Sequence, residues 1–131
     1  LHGVNDDCGS HMVNAAHFIQ NKTEAPAKCL ELGDGPIFSL VGSIKAQGMV
    51  ACAKLKLDST YKNGFNLIGF SQGGMIARWV LQYCSMGEKV HNFITFGSPH
   101  GGQSGIPDCT NGFFCPILEW LANRFVYWSI A

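Results

Sequence analysis

Of all stretches in this chain, Gly69-Phe70-Ser71-Gln72-Gly73 most restricts what it can become. Ahead of it, Phe65, Leu67, Ile68 and Phe70 form a short apolar run after the turn signal Asn63-Gly64, which predicts a buried strand. Behind it, Met75, Ile76, Trp79, Val80 and Tyr83 recur every three or four residues, which predicts a helix with one strongly apolar face. A serine between two glycines at such a junction reads as a nucleophile elbow, a strained turn that lifts a hydroxyl to the end of a sheet. Gly69 and Gly73 are glycines because a side chain at either place would collide where strand and helix crowd together. With 16 glycines in the chain, a plain glycine-rich turn is the competing reading, and the flanking strand and helix weigh against it.

The remaining pattern fits a sheet covered by helices. Residues 1–10 read as a loop, with Ser10 placed to cap a helix carrying Val13, Ala16, Phe18 and Ile19. Ala27 to Leu32 suggests a short strand ending at the turn Gly33-Asp34-Gly35-Pro36, and Phe38 to Leu57 a long helix weakened by Gly42 and Gly48. Val90 to Phe96 reads as another strand, and a further helix is expected from about Pro116 to Phe125. The order strand, helix, strand, helix, strand predicts an α/β fold whose mostly parallel sheet has helices on both faces.

Charge and cysteines narrow the function classes. Nine basic and nine acidic residues balance, and the lysines are scattered, so nucleic acid is not an expected partner. No stretch approaches the roughly 20 apolar residues that a membrane helix needs. Six cysteines in 131 residues, none in a C-x-x-C pair, favour disulfides and a secretory route over a zinc or redox centre. Cys8, His11 and His17 lack the spacing of a metal site, and neither a metal nor a cofactor is assigned. Asn21-Lys22-Thr23 is a glycosylation sequon, expected between a helix and a strand. Cys29, within an expected strand, reads as a small buried apolar residue rather than half of a bridge.

On Leu1-His2-Gly3 with Asp6-Asp7-Cys8, on the elbow, on Asn92 to Gly101 and on Ile106-Pro107-Asp108-Cys109, the chain resembles the palmitoyl-protein thioesterases of the α/β-hydrolase fold. The resemblance implies that residues 1–131 form a single incomplete domain of that fold, holding the oxyanion loop, the elbow and the start of the insertion that shapes an acyl groove. It implies that Ser71 attacks the thioester joining a fatty acyl group to a cysteine of a lipid-modified protein, and that the amides of Val4 and Gln72 stabilise the oxyanion. His2 is expected to pack beneath the loop rather than take part in the chemistry. The resemblance also pairs Cys52 with Cys84 and Cys109 with Cys115, and implies a lysosome, vacuole or extracellular location. Some family members have two adjacent cysteines where this chain has Cys8-Gly9, which leaves the state of Cys8 open.

An acid and a histidine should follow the serine in that order. Asp108 has no histidine after it, and Glu88 with His100 reads better as a turn residue and a loop residue. By resemblance both partners lie beyond Ala131, so residues 1–131 alone are expected to be nearly inactive. Two competing readings stay open. One is a lipase or carboxylesterase acting on oxygen esters, and the other is a non-catalytic acyl-binding or interaction protein that keeps the elbow as scaffold.

Overall fold

A computed structural model describes residues 1–9, 11–34 and 36–102, and all of its elements belong to the unit Leu1–His100. The centre of that unit is a strand, a helix and a parallel strand. Gly64, at φ 104°, makes the turn that starts strand β1 (Phe65–Phe70), its amide donating to the Tyr61 carbonyl at 3.2 Å. Helix α4 (Gln72–Tyr83) follows directly after Ser71 and returns the chain to strand β2 (Val90–Phe96), which pairs with β1 in parallel. Parallel strands require such a crossover, and α4 covers the sheet with Gly73, Gly74, Ile76, Ala77 and Val80 buried. From Asn66↔Asn92 to Phe70↔Phe96 the register is regular, and the Phe70 and Phe96 rings stack with centroids 5.0 Å apart.

Leu1 lies along the other side of β1. Its main-chain nitrogen donates to the Ile68 carbonyl at 2.9 Å, and its carbonyl accepts from the Phe70 amide at 3.1 Å. That alternation is a parallel rung, so both edges of β1 are occupied where it meets the elbow. The segment Ala27–Leu32, expected as a strand, pairs with neither β1 nor β2 and runs as irregular chain. Side chains hold it instead. Lys28 donates to Asp58 Oδ2 at 2.9 Å, Cys29 forms a disulfide with Cys8, and Leu32 is buried in the core.

The single long helix expected from Phe38 to Leu57 is two helices, α2 (Pro36–Val41) and α3 (Ile44–Leu57). Ser43 separates them: it is extended, at φ −63° and ψ 151°, and its hydroxyl accepts from the Ala46 amide as the cap of α3. The carbonyl of Gly42, left without a helical donor at the end of α2, is satisfied at 2.7 Å by the side-chain amide of the fully buried Gln47. Gln47 thus ties the two helices across the break. Helix α3 packs on α4 through Ala51, Cys52 and Leu55, and Cys52 is joined to Cys84 with Cα atoms 5.7 Å apart, as the resemblance implied.

Helix α1 (His11–Thr23) has the expected place but buries none of its residues, and Phe18 is 64% exposed. Its entry is held by the Cys8–Cys29 disulfide rather than by a packed face. The sequon asparagine, Asn21, sits exposed in the last turn of α1 and not in the connection after it. Among the described residues, no helix is long and apolar enough to cross a membrane. The helix expected at Pro116–Phe125 and the Cys109–Cys115 pairing lie outside the described residues.

Gly48 shows how tightly α3 meets α4. A Cβ there would strike the indole of Trp79, whose Cγ would lie only 2.9 Å away. Alanine gains about 1 kcal/mol of helix propensity, whereas overpacking of this kind costs about 1–3 kcal/mol or more. Gly48→Ala is expected to destabilise the complete protein by about 1 kcal/mol or more in urea unfolding. A neutral or stabilising result would mean that the two helices can separate freely.

Candidate active site

Ser71 adopts φ 51° and ψ −121°, a conformation that a residue with a side chain rarely holds. Such a residue costs on the order of 1–3 kcal/mol and survives only where its surroundings dictate it. Here they do. The Ser71 amide donates to the Phe96 carbonyl at 2.8 Å, extending the β1–β2 ladder, and the Ser71 carbonyl accepts from the Gly74 amide at 3.0 Å. The side chain is left exposed at the end of the sheet, without a capping bond to α4.

The glycines around it are places of contact. A Cβ on Gly69 would come within 2.5 Å of the Gly74 backbone, and one on Gly73 would run into the carbonyls of Leu1 and His2. Gly74 went unremarked in the sequence; a Cβ there would strike the Ser98 side chain, and the only sign was the Gly73-Gly74 doublet. Gly3 lies against the serine itself, since a Cβ on it would be 3.2 Å from Ser71 Cβ and 3.8 Å from Oγ. The segment His2-Gly3-Val4 therefore borders the nucleophile directly. Val4 follows Gly3 with its side chain exposed, and Gln72, first residue of α4, carries an amide with no acceptor inside the helix.

The loop Leu1–Gly9 is held at several points. His2 is buried, its Nε2 2.9 Å from Glu31 Oε1 and its Nδ1 3.0 Å from the Gly3 carbonyl, so it does pack beneath the loop. Asn5, at φ 56°, donates its amide to the hydroxyl of the buried Ser39 at 2.9 Å. The Cys8 amide donates to Glu31 Oε2 at 2.8 Å, and the Cys8 sulfur is bonded to Cys29. This corrects the reading of Cys29 as an unbridged apolar residue: Glu31, two residues on, reaches the Cys8 amide and draws the two cysteines to a Cα separation of 5.5 Å. Sequence reasoning missed Glu31 and Ser39. An acid set between Leu30 and Leu32 was the available signal for the first, and Ser39 had none.

Burial works to raise the Glu31 carboxyl, but the Cys8 amide, the His2 ring and the Leu32 amide outweigh it, leaving the group below the usual carboxylate range. The ligand atoms of His2, Cys8 and Glu31 lie within 4.8 Å of one another, yet the Cys8 sulfur is committed to the disulfide and supplies no thiolate for a metal.

Glu88 and His100 do not form an acid–histidine pair. One precedes β2 and the other follows it, so the strand separates them by roughly 20 Å. Glu88 is exposed, whereas the His100 ring bonds Thr95 Oγ1 at 3.2 Å and packs edge-on against Phe93.

A family model described as palmitoyl protein thioesterase matches residues 1–131. The chain is 43% identical to palmitoyl-protein thioesterase 1 of Caenorhabditis elegans, over 60% of this chain and 31% of that protein. It is 38% identical to palmitoyl-protein thioesterase 3 of Dictyostelium discoideum, over 60% of this chain and 27% of that protein. To the palmitoyl-protein thioesterase-dolichyl pyrophosphate phosphatase fusion 1 of Schizosaccharomyces pombe it is 29% identical, over 83% of this chain and 18% of that protein. The chain thus spans between about a fifth and a third of the length of these curated relatives.

Two outcomes follow from the geometry. In the complete protein, Gly73→Ala should push the Leu1–His2 main chain away from the elbow and slow fluorophosphonate labelling of Ser71 by about 10²-fold; an unchanged rate would show that the loop does not need this contact. Because the carboxyl of Glu31 is lowered on folding, its stabilisation is complete above its unfolded value of about 4.5 and is lost as pH falls through the folded value. The Tm difference between wild type and Glu31→Gln should therefore be largest above pH 5 and shrink below about pH 4. A difference independent of pH would exclude the ionised carboxylate as its source.

Proposed function

The chain belongs to the palmitoyl protein thioesterase family, and on that premise we propose that the whole protein hydrolyses the thioester linking palmitate or a similar fatty acyl group to cysteines of lipid-modified proteins. The observation that carries this reading is the backbone of Ser71, held at positive φ and exposed between β1 and α4, with Gly3 of the neighbouring loop against its side chain. A serine hydroxyl so presented can reach an acyl carbonyl that no residue inside a regular element could approach.

In the proposed reaction the Ser71 oxygen attacks the thioester carbonyl while a histidine takes its proton. The tetrahedral oxyanion accepts hydrogen bonds from the amides of Val4 and Gln72, each such donor contributing about 3 kcal/mol to barrier lowering. Collapse breaks the carbon–sulfur bond, the cysteine leaves as a thiol carrying that proton, and the acyl group remains on Ser71 as an ester. Water then attacks the ester, the histidine again relaying the proton, and the fatty acid is released. The proposal assigns neither the acid nor the histidine of this scheme to a described residue.

Two disulfides within the described residues favour an oxidising compartment, and the proposal places the protein in the secretory route with a lysosomal, vacuolar or extracellular destination. Asn21, exposed on α1, is proposed to carry the glycan there.

The same elbow can act on oxygen esters, so substrate is the point to test. In the complete protein, a fluorophosphonate should label Ser71, Ser71→Ala should abolish labelling and lower turnover by at least about 10⁴-fold, and a palmitoyl thioester should be preferred to a triglyceride. Preference for the triglyceride would make the protein a lipase. Absence of both labelling and turnover would leave a non-catalytic acyl-binding scaffold.

A further inference from the structure

The loop Leu1–Gly9 is joined to the rest of the fold at four places, and one side chain supplies two of them. Leu1 is hydrogen-bonded into the ladder beside β1, and Asn5 is bonded to Ser39. The other two, His2 and Cys8, converge on Glu31: His2 Nε2 and the Leu32 amide, at 2.9 and 3.0 Å, meet Oε1, and the Cys8 amide at 2.8 Å meets Oε2. Both carboxylate oxygens are thereby used, with no donor left over on Glu31 to satisfy an acceptor. Val4 lies between the two clamped residues, next to Gly3, which touches Ser71.

We infer that Glu31 is a positioning residue for the oxyanion loop, a single carboxylate gripping the loop on both sides of Val4 and so setting the Val4 amide relative to Ser71. The inference rests on the proposed role of Val4 and adds to it the group that holds the amide in place. Glu31 touches neither Ser71 nor, in this assignment, the substrate. The chemistry calls for such a brace because an oxyanion donor acts only when fixed before the reaction, and a displacement of about 1 Å can cost roughly 10²-fold in rate. The Cys8–Cys29 disulfide joins the same two segments covalently, but it holds only the Cys8 end of the loop. At the other end the Leu1 ladder bonds hold the main chain, and the carboxylate holds the buried His2 ring.

The assignment specifies which kinetic parameter moves. Glu31→Gln keeps the shape but gives up one acceptor oxygen, and its NH2 group then faces either the Cys8 amide or the Leu32 amide, which also donate, so the three-bond grip is broken. In the complete protein, with active enzyme counted by fluorophosphonate titration of Ser71, this variant should lower kcat on a palmitoyl thioester by roughly 10- to 100-fold with KM nearly unchanged. Binding of a long-chain trifluoromethyl ketone, whose serine adduct carries the oxyanion, should weaken by a similar factor. Glu31→Asp, which keeps the charge and both acceptor oxygens, should recover part of the loss. Leu30→Ala serves as the purely structural control, expected to lower Tm without changing kcat per titrated serine. If Glu31→Gln does not fold, His2→Asn removes the ring that Glu31 grips and is read by the same two measurements. Turnover and ketone binding within about two-fold of wild type, or a rise in KM alone, would overturn the positioning role. A wild-type protein that labels but does not turn over the thioester would instead overturn the proposed function, while the ketone measurement would still report on the brace.

Discussion

The crossing of β1, α4 and the Leu1–Val4 segment governs the rest of this structure. Three backbones meet within van der Waals distance, which the absence of side chains at Gly69 and Gly73 allows. Given that approach, the chain has one way to turn from strand to helix, and Ser71 absorbs the strain at φ 51°. A strained residue of this kind is retained only if alternatives cost more. The apolar face of α4 supplies that penalty, because relaxing the turn would lift Ile76, Ala77 and Val80 out of the core. Burial of a single such aliphatic side chain contributes about 1.5–3 kcal/mol, which matches or exceeds the strain it must hold.

What the sequence made legible follows from the same physics. The elbow, β1, α4 and β2 could be read because their signals are local: a period of two or an apolar run, a period near 3.6, and glycines where a turn needs them. The break between α2 and α3 was only half legible. Gly42 marked a weak point, but the deciding events were a serine choosing the capping geometry and Gln47 reaching back to close the open carbonyl. Ala27–Leu32 failed for a different reason. Its composition is strand-like, but a strand exists only where it joins a sheet, and this segment pairs with neither β1 nor β2. Pairing is a property of the whole sheet and leaves no mark on the segment itself.

Cys29 and Glu31 were misread or missed for one shared cause. In isolation Ala27 to Leu32 reads as a short strand in which Cys29 is a small buried apolar residue. Outside the ladder, the segment is free to turn its polar and sulfur groups toward Leu1–Gly9, where a buried histidine and an open amide need a partner. A carboxylate with three donors is an ordinary solution to that demand. It also explains why Glu31 stays ionised despite partial burial, since each donor favours the charged form over the neutral one.

The two disulfides divide the labour between scaffold and site. Cys52–Cys84 joins α3 to the end of α4 and closes a span of 32 residues, which on a chain-entropy estimate stabilises the fold by roughly 3–4 kcal/mol. It acts on the helices behind the elbow and keeps α4 pressed to the sheet. Cys8–Cys29 joins two irregular segments, and its consequence is geometric: it limits how far the loop beside Ser71 can drift. A covalent tie alone would still allow that loop to rotate about its anchor. Charged hydrogen bonds supply the missing angular constraint, being directional where a disulfide between loops is not. The lowered carboxyl of Glu31 keeps that constraint in force in mildly acidic surroundings, where a carboxylate at its ordinary value would begin to take up a proton. The elbow is therefore rigid because the core makes it so. The loop facing it is held by Leu1 in the core and the ladder, by Asn5 on Ser39, and by one carboxylate and one disulfide.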